Sequence, residues 1–238
     1  MSGTTTTRPR TAPPRPSSFA LKQVMALTGV VFVGFVVVHM IGNLKVYAGP
    51  ESFNAYAAWL REVGAPLVPR QGVLWALRCT LVVALLLHVW AALTLWVRGR
   101  RRRGRHRRRR LSGVMALSAA SMVPGGLVIL VFIIVHLLDL TLGLLVQSPR
   151  YTTPDASFHA YENLVASFQR PWMALFYFVC MLVIAVHVQH GWRTILQDVG
   201  ATGARFRTFW VVLGGLLALA IVLGNATIPV LVLAGVIA

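Results

Sequence analysis

Acidic residues are scarce in this chain of 238 residues, in which six Asp and Glu stand against 23 Lys and Arg. Charged residues of both signs make up only 12% of the composition and hydrophobic residues 57%, which excludes an ordinary soluble domain. The two cysteines, Cys79 and Cys180, both lie in apolar stretches and are too few for a disulfide framework or a four-cysteine zinc site. The composition is that of an integral membrane protein.

The chain instead contains long stretches free of Asp, Glu, Lys and Arg. A bilayer core needs about 20 apolar residues of helix, and five stretches meet that requirement. We therefore expect an all-α bundle of five transmembrane helices, called the first to fifth spans, at residues 21–44, 71–97, 113–146, 171–194 and 207–235. Residues 1–20, rich in Thr, Pro and Arg, are expected to form a disordered cytoplasmic tail, and residues 21–238 a single membrane domain.

The basic residues are unevenly distributed among the segments that connect the spans. With the N-terminus in the cytoplasm, 17 of the 23 Lys and Arg face the cytoplasm and six face the opposite side, together with five of the six acidic residues. Lys and Arg are retained on the cytoplasmic side, so the sequence predicts a cytoplasmic N-terminus and an extracytoplasmic C-terminus in the cell membrane.

The arginine run RGRRRRGRHRRRR at residues 98–110 dominates the predicted cytoplasmic loop at residues 98–112. Such a run binds anionic lipid headgroups or nucleic acid. Its position between two spans, without interleaved aromatic residues for base stacking, favours topology and lipid contact and leaves nucleic acid as the weaker interpretation.

Two extracytoplasmic segments have helical apolar spacing. After a turn at Gly49 and Pro50, Ser52 is the expected N-cap of an amphipathic helix on the membrane surface, with Phe53, Tyr56, Ala57 and Leu60 on one face. Residues 155–168 are expected to form a second such helix, and the side chains at helical spacing are Phe158, Tyr161, Leu164, Val165 and Phe168.

Four histidines lie inside predicted spans, one in each of the first four. An ionisable side chain in a bilayer is costly and indicates function, and each helical residue advances about 1.5 Å along the axis. His39 and His136 fall near the outer face, whereas His88 and His187 fall in the cytoplasmic half. The four histidines therefore form two pairs at two depths.

Two facing imidazoles at one depth are what bis-histidine ligation of a haem requires. Two pairs predict two haems stacked across the membrane, which would connect the cytoplasmic side with quinone in the bilayer. Helix-packing histidines and a haem-free proton relay are the competing interpretations, although a relay normally includes membrane carboxylates and Asp139 is almost the only one here. A 2Fe–2S cluster on Cys79, Cys180, His39 and His136 is a further alternative, but it leaves His88 and His187 without a role.

Around these histidines the sequence resembles the single-chain diheme cytochrome b anchors of succinate dehydrogenase and fumarate reductase, respiratory complex II. The resemblance covers nearly all of the chain after residue 20. It is carried by VVVHMIGNLKVYAGPESFNAYAAWLREVG at residues 36–64, LLLHVWAA around His88, FIIVHLLDL around His136 and AVHVQHGWRTILQDVG around His187.

The resemblance implies two b haems and a place in the respiratory chain and the tricarboxylic acid cycle. In this family the haem nearer the iron–sulfur protein is ligated from the second and fourth helices, matching His88 and His187. The distal haem is ligated from the first and third, matching His39 and His136. A flavoprotein and an iron–sulfur protein on the cytoplasmic face carry the dicarboxylate chemistry, so this chain is expected to have no catalytic residue of its own.

The resemblance also implies exchange of electrons with menaquinone or ubiquinone, in the direction of succinate oxidation or of fumarate reduction. A diheme anchor of another quinol-oxidising complex is the nearest alternative. Relatives that move protons in compensation carry a glutamate two residues before the fourth-helix ligand, where this chain has Ala185. Candidate quinone contacts, none of them assigned, are Glu62, Trp75 and Asp139 near the outer pair and His190 and Arg193 near the cytoplasmic pair.

Overall fold

The computed structural model describes residues 16–103, 114–153, 158–198, 200 and 203–238. Over these residues the chain forms helices and no strands. The α-helices are α1 (Ser18–Asn43), α2 (Pro50–Glu62), α3 (Gly72–Arg103), α4 (Val114–His136), α5 (Ala160–Phe168), α6 (Pro171–Asp198), α7 (Ala204–Ile221) and α8 (Thr227–Leu233). A 3₁₀ turn at Leu44–Ala48 follows α1, and π-helical segments at Leu137–Leu142 and Val222–Ala226 extend α4 and join α7 to α8.

Five of the described helical stretches are long and apolar enough to cross a membrane, which confirms the expected all-α, five-span architecture. They are Ser18–Ala48, Gly72–Arg102, Ala120–Leu142, Pro171–Asp198 and Ala204–Leu233. The first span begins earlier than expected because the Ser17 side chain accepts a hydrogen bond of 3.0 Å from the backbone amide of Ala20 and caps the helix there. Residues 1–15 of the expected tail and residues 104–113 of the arginine-rich loop lie outside the described residues.

The first four spans pack as two pairs, and the fourth span also contacts the first and the fifth. Helix α1 packs along α3, and α4 packs along α6, which also packs on α7. The buried core follows α6, where Met173, Tyr177 and Cys180 are almost fully covered. Many leucines and valines of the spans face outward instead, as expected where lipid and not water is the solvent.

Polar side chains join the first span to the last. The Asn43 amide donates a hydrogen bond of 2.8 Å to the Asn225 side-chain oxygen, and the hydroxyls of Tyr47 and Thr227 lie 2.7 Å apart. Asn225 belongs to the π-helical segment Val222–Ala226. Hydrogen bonds between membrane helices contribute about 0.6–2 kcal/mol each. These contacts hold the first span against the fifth.

Adjacent glycines on α7 predict opposite sensitivities to alanine. A Cβ on Gly214 would lie 2.5 Å from the Trp192 ring, whereas a Cβ on Gly215 would have its nearest neighbour, on Gln189, at an ordinary 3.8 Å. We expect Gly214→Ala to destabilise the protein by about 1–3 kcal/mol through overpacking, and Gly215→Ala to be tolerated. Unfolding in mixed detergent micelles measures both, and equal effects of the two variants would contradict this packing.

The two helices that connect spans, α2 and α5, differ from each other. Helix α2 begins at Pro50 and not after Ser52, because Gly49, with φ of 89°, stands at the N-cap and proline fits the first helical position. It has no buried residue, as a surface helix should. Helix α5 begins at Ala160 and is buried on nearly all sides, so it is not a surface helix. Residues 155–157 of the expected second helix lie outside the described residues.

Candidate functional site

The four intramembrane histidines lie on four different spans. His39 is near the end of α1, His136 is the last α-helical residue of α4, and His88 and His187 lie within α3 and α6. The structure brings them together in two groups. His39 contacts His136, and His88 lies close enough to His187 for their charges to interact.

The outer pair is the better defined of the two. The ring centroids of His39 and His136 lie 5.8 Å apart, with an angle of 81° between the ring planes. An imidazole nitrogen lies roughly 2 Å from a metal that it ligates, so two rings on opposite sides of one metal have centroids roughly 6 Å apart. Both ring planes must contain the common axis, but their mutual angle is free. The observed geometry therefore fits two ligands of one metal, and edge-to-face packing of two rings gives a similar spacing.

One aromatic ring stacks on each histidine of the outer pair. Phe35 stacks on His39 with a centroid distance of 5.3 Å, and Phe132 stacks on His136 with a distance of 5.6 Å. Each phenylalanine precedes its histidine by four residues, which places both side chains on the same helix face. His39 itself is exposed on the surface of the helix bundle, and His136 is partly buried.

The helices that carry each pair do not pack on each other. Within the described ranges, α1 and α4 make at most isolated backbone contacts, and the same holds for α3 and α6. The rings of His39 and His136 nevertheless meet, with centroids 5.8 Å apart. These two imidazoles therefore approach each other from spans that are not packed neighbours.

His136 has a polar partner beside its Nδ1 atom. The Tyr177 hydroxyl lies 3.4 Å from His136 Nδ1 and donates a hydrogen bond of 3.3 Å to Asp139 Oδ2. The Tyr177 ring packs edge-on against Phe132 and Phe168, with centroids 5.2 and 4.9 Å away. These contacts fix the hydroxyl between the histidine and the carboxylate.

Asp139 is a fully buried carboxylate with an ion-pair partner. Arg170 donates to Asp139 Oδ1 at 2.6 Å, and the Ser167 hydroxyl donates to Oδ2 at 2.5 Å. Arg170 also donates to the Val146 carbonyl oxygen at 2.7 Å. A buried charge is tolerated only when it is paired and hydrogen-bonded, and Asp139 has three donors. The residue is therefore held rigidly and is not free to turn towards a quinone.

In the cytoplasmic pair, His88 meets a neutral partner. Thr28 Oγ1 donates to the Val24 carbonyl oxygen at 2.7 Å and lies 2.9 Å from His88 Nδ1. A hydroxyl that has donated its proton can only accept, so the proton resides on His88 Nδ1 and the lone pair on Nε2, as a metal ligand requires. His187 Nδ1 is buried and has no hydrogen-bond partner among the described residues.

Small residues face the cytoplasmic pair. A Cβ on Gly29 would lie 3.9 Å from His88 Cε1, and a Cβ on Gly126 would lie 3.6 Å from His187 Cε1. Both distances are ordinary van der Waals contacts, so an alanine would also fit at these positions. The two glycines show which helices border the imidazoles, namely α1 at His88 and α4 at His187.

The two cysteines do not join the histidines. Cys79 is exposed and Cys180 is buried. Over the described residues, no three or more His, Cys, Asp and Glu side chains gather in a way that could hold a metal ion. The geometry therefore offers pairs of nitrogen ligands and does not offer the two-histidine, two-cysteine set of an iron–sulfur cluster.

The other candidates from the sequence have polar or aromatic contacts of their own. Glu62 forms an exposed ion pair of 3.0 Å with Arg70, and Trp75 lies under the Arg78 guanidinium at 4.9 Å. Arg61 stacks over Phe158 at 4.3 Å, and burial, followed by the charge of Arg78, lowers the pKa of its guanidinium. At the cytoplasmic end, His190 lies within electrostatic range of Arg193.

Sequence reasoning did not find Thr28, Tyr177, Ser167 and Arg170 as parts of the site. The ion pair of Asp139 and Arg170 could have been predicted from the sequence, since opposite charges at the outer ends of two neighbouring spans are suited to pairing. Thr28 and Tyr177 gave none, because single hydroxyl groups are common in membrane helices. Their positions depend on how the helices rotate against one another.

Comparison with known proteins does not identify the chain. No protein-family model, no curated protein and no solved structure matches it. Its function is therefore inferred from the positions of its residues and the geometry of its histidines.

Proposed function

We propose that the chain is the membrane anchor and electron-transfer subunit of a succinate:quinone oxidoreductase and that it holds two b haems. The observation that carries the proposal is the approach of His39 and His136, from spans that do not pack on each other, to a centroid distance of 5.8 Å. A second pair, His88 and His187, at another depth supports it. The sequence resemblance supplies the complex to which such an anchor would belong.

In this proposal His39 and His136 would hold the outer, distal haem, and His88 and His187 would hold the cytoplasmic, proximal haem. When bound, the haems would supply one-electron carriers at two depths of the membrane. The chain's own residues fix the ligands. Thr28 would hold His88 in the tautomer with a free Nε2, and the rings of Phe35 and Phe132 would orient the imidazoles of the outer pair on which they stack.

The partners follow from the orientation that the basic residues predict. The N-terminus, the arginine-rich loop at residues 98–112, the end of the fourth span and the beginning of the fifth span would face the cytoplasm, where the flavoprotein and iron–sulfur subunits would dock. Menaquinone or ubiquinone would exchange electrons from the bilayer, and anionic lipid would contact the arginines. The dicarboxylate chemistry would take place on the partner subunits, in either direction.

The experiment that tests the proposal measures haem directly. We expect the protein purified in detergent to give the dithionite-reduced minus oxidised spectrum of a cytochrome b, with about two haems per chain by the pyridine haemochrome assay. About one haem would mean that one histidine pair has another role. A colourless protein would overturn the proposal and favour a proton relay, and iron with acid-labile sulfide would favour the cluster.

The orientation has its own test. Fusing a reporter that is active only in the cytoplasm to the C-terminus is expected to give no signal, while the same reporter in the loop at residues 104–113 is expected to be active. The loop fusion is the matched control for expression and insertion. Activity at the C-terminus with none in the loop would reverse the proposed orientation and place the docking face on the other side.

A further inference from the structure

We propose that Tyr177 and Asp139 are positioning residues of His136, which act in series to fix its tautomer and to lower the reduction potential of the outer haem. The inference rests on the proposed function and assigns roles to residues that do not contact the haem. Its basis is the chain of contacts from His136 Nδ1 to the Tyr177 hydroxyl and on to the Asp139 carboxylate.

The direction of each hydrogen bond follows from counting protons. Asp139 is paired with Arg170 at 2.6 Å, and a carboxylate in an ion pair can only accept. The single proton of the Tyr177 hydroxyl is therefore directed to Asp139 Oδ2, which leaves its oxygen as an acceptor towards His136. His136 Nδ1 must then carry the proton, and its Nε2 keeps the lone pair that ligates a metal.

The fold keeps this arrangement in place. Asp139 lies in the π-helical segment that follows His136, and Ser167 and Arg170, at the turn from α5 into α6, hold both of its oxygens. Tyr177 stands two turns further along α6 and is wedged between aromatic rings. The carboxylate and the hydroxyl can therefore not turn away without breaking buried contacts.

The chemical consequence concerns the charge behind the ligand. A carboxylate that acts through a hydrogen bond makes an imidazole more basic, and a more basic ligand favours the oxidised metal. His88 of the cytoplasmic pair has the neutral hydroxyl of Thr28 beside its Nδ1. The two histidine pairs thus differ in the charge of the group that supports a ligand.

The test is a redox titration of the Tyr177→Phe protein. The outer haem is first identified as the spectral component that His39→Ala removes. We expect Tyr177→Phe to raise its midpoint potential, so that at a fixed ambient potential the ratio of reduced to oxidised haem rises about tenfold, or about 59 mV for one electron, while the other haem is unchanged. Tyr161→Phe, which loses a hydroxyl bonded to the Ala238 carbonyl oxygen, is the matched control and is expected to shift neither haem.

A double variant tests the series arrangement. Asp139→Asn is expected to raise the same potential, and Asp139→Asn combined with Tyr177→Phe is expected to raise it no further than the larger single change. If the two shifts add, Asp139 acts on the haem directly and the series is wrong. If Tyr177→Phe loses the outer haem, Asp139→Asn, which keeps the hydroxyl, provides the potential measurement instead.

The outcomes separate this inference from the proposed function. Two haems with unchanged potentials in Tyr177→Phe and Asp139→Asn would overturn the inference and leave the diheme anchor intact. A wild-type protein without haem would overturn both. A rise confined to the outer haem, which a general loss of packing would not produce, would support the positioning role.

Discussion

Alanine in place of His39, His88, His136 or His187 is expected to lower the haem content from about two per chain to about one. A b haem held by two histidines would lose half of its protein ligation when one imidazole is removed, and over the described residues no group of three or more His, Cys, Asp and Glu side chains offers a replacement site. The pyridine haemochrome assay on purified variants measures the loss. This is the largest effect that the proposed function predicts for any single substitution.

Because the histidines are assigned in pairs, each variant is expected to lose one particular haem. His39→Ala and His136→Ala should remove the same spectral component, and His88→Ala and His187→Ala should both remove the other. His159→Ala, outside the spans, is the control and should retain both haems. Full haem content in any of the four axial variants, or removal of different components by two members of a pair, would contradict the ligand assignment.

Alanine in place of Arg170 is expected to destabilise the protein by about 3–5 kcal/mol, because it leaves the Asp139 carboxylate buried without its counter-charge. The substitution also removes the donor to the Val146 carbonyl oxygen. The free energy of unfolding in mixed detergent micelles measures the effect. Replacing both Arg170 and Asp139 with leucine should restore much of the stability, since it removes both buried charges.

An exposed ion pair of the same kind serves as the control. Arg70 and Glu62 are 3.0 Å apart, but their side chains are 72% and 60% exposed, so Arg70→Ala should cost only about 0–1 kcal/mol. Comparable losses in Arg170→Ala and Arg70→Ala would mean that burial does not govern the Asp139 pair. That result would also weaken the argument that Asp139 is held as an ionised acceptor.

Much of the architecture could be predicted because membrane helices are governed by one strong constraint. Every backbone polar group in the hydrocarbon core must be satisfied, so long uncharged stretches such as the one containing His187 are helical. Depth then follows from counting residues along helices of alternating direction, which placed His39 with His136. The structure agrees with both steps, since the spans form and these two rings meet.

The sequence pattern could not predict which side chains stand behind the ligands. The contact between Thr28 and His88 joins residues 60 positions apart, and the contact between Tyr177 and Asp139 depends on a π-helical segment that periodicity does not reveal. The burial of α5 was missed for a related reason. Its apolar residues at helical spacing fit a surface helix, but Asn163 and Ser167 on its other sides are buried as well and bond to neighbouring segments.

The contact between Asn43 and Asn225 can form only late in the synthesis of the chain. The two residues are separated by 182 positions, and a chain grows at roughly 5–20 residues per second. During synthesis the first span therefore resides in the membrane for roughly 10 to 40 seconds before the ribosome has made its partner. Throughout this interval the Asn43 amide has no Asn225 to receive its hydrogen bond, and water at the end of the span or another helix must provide the acceptor until the fifth span arrives.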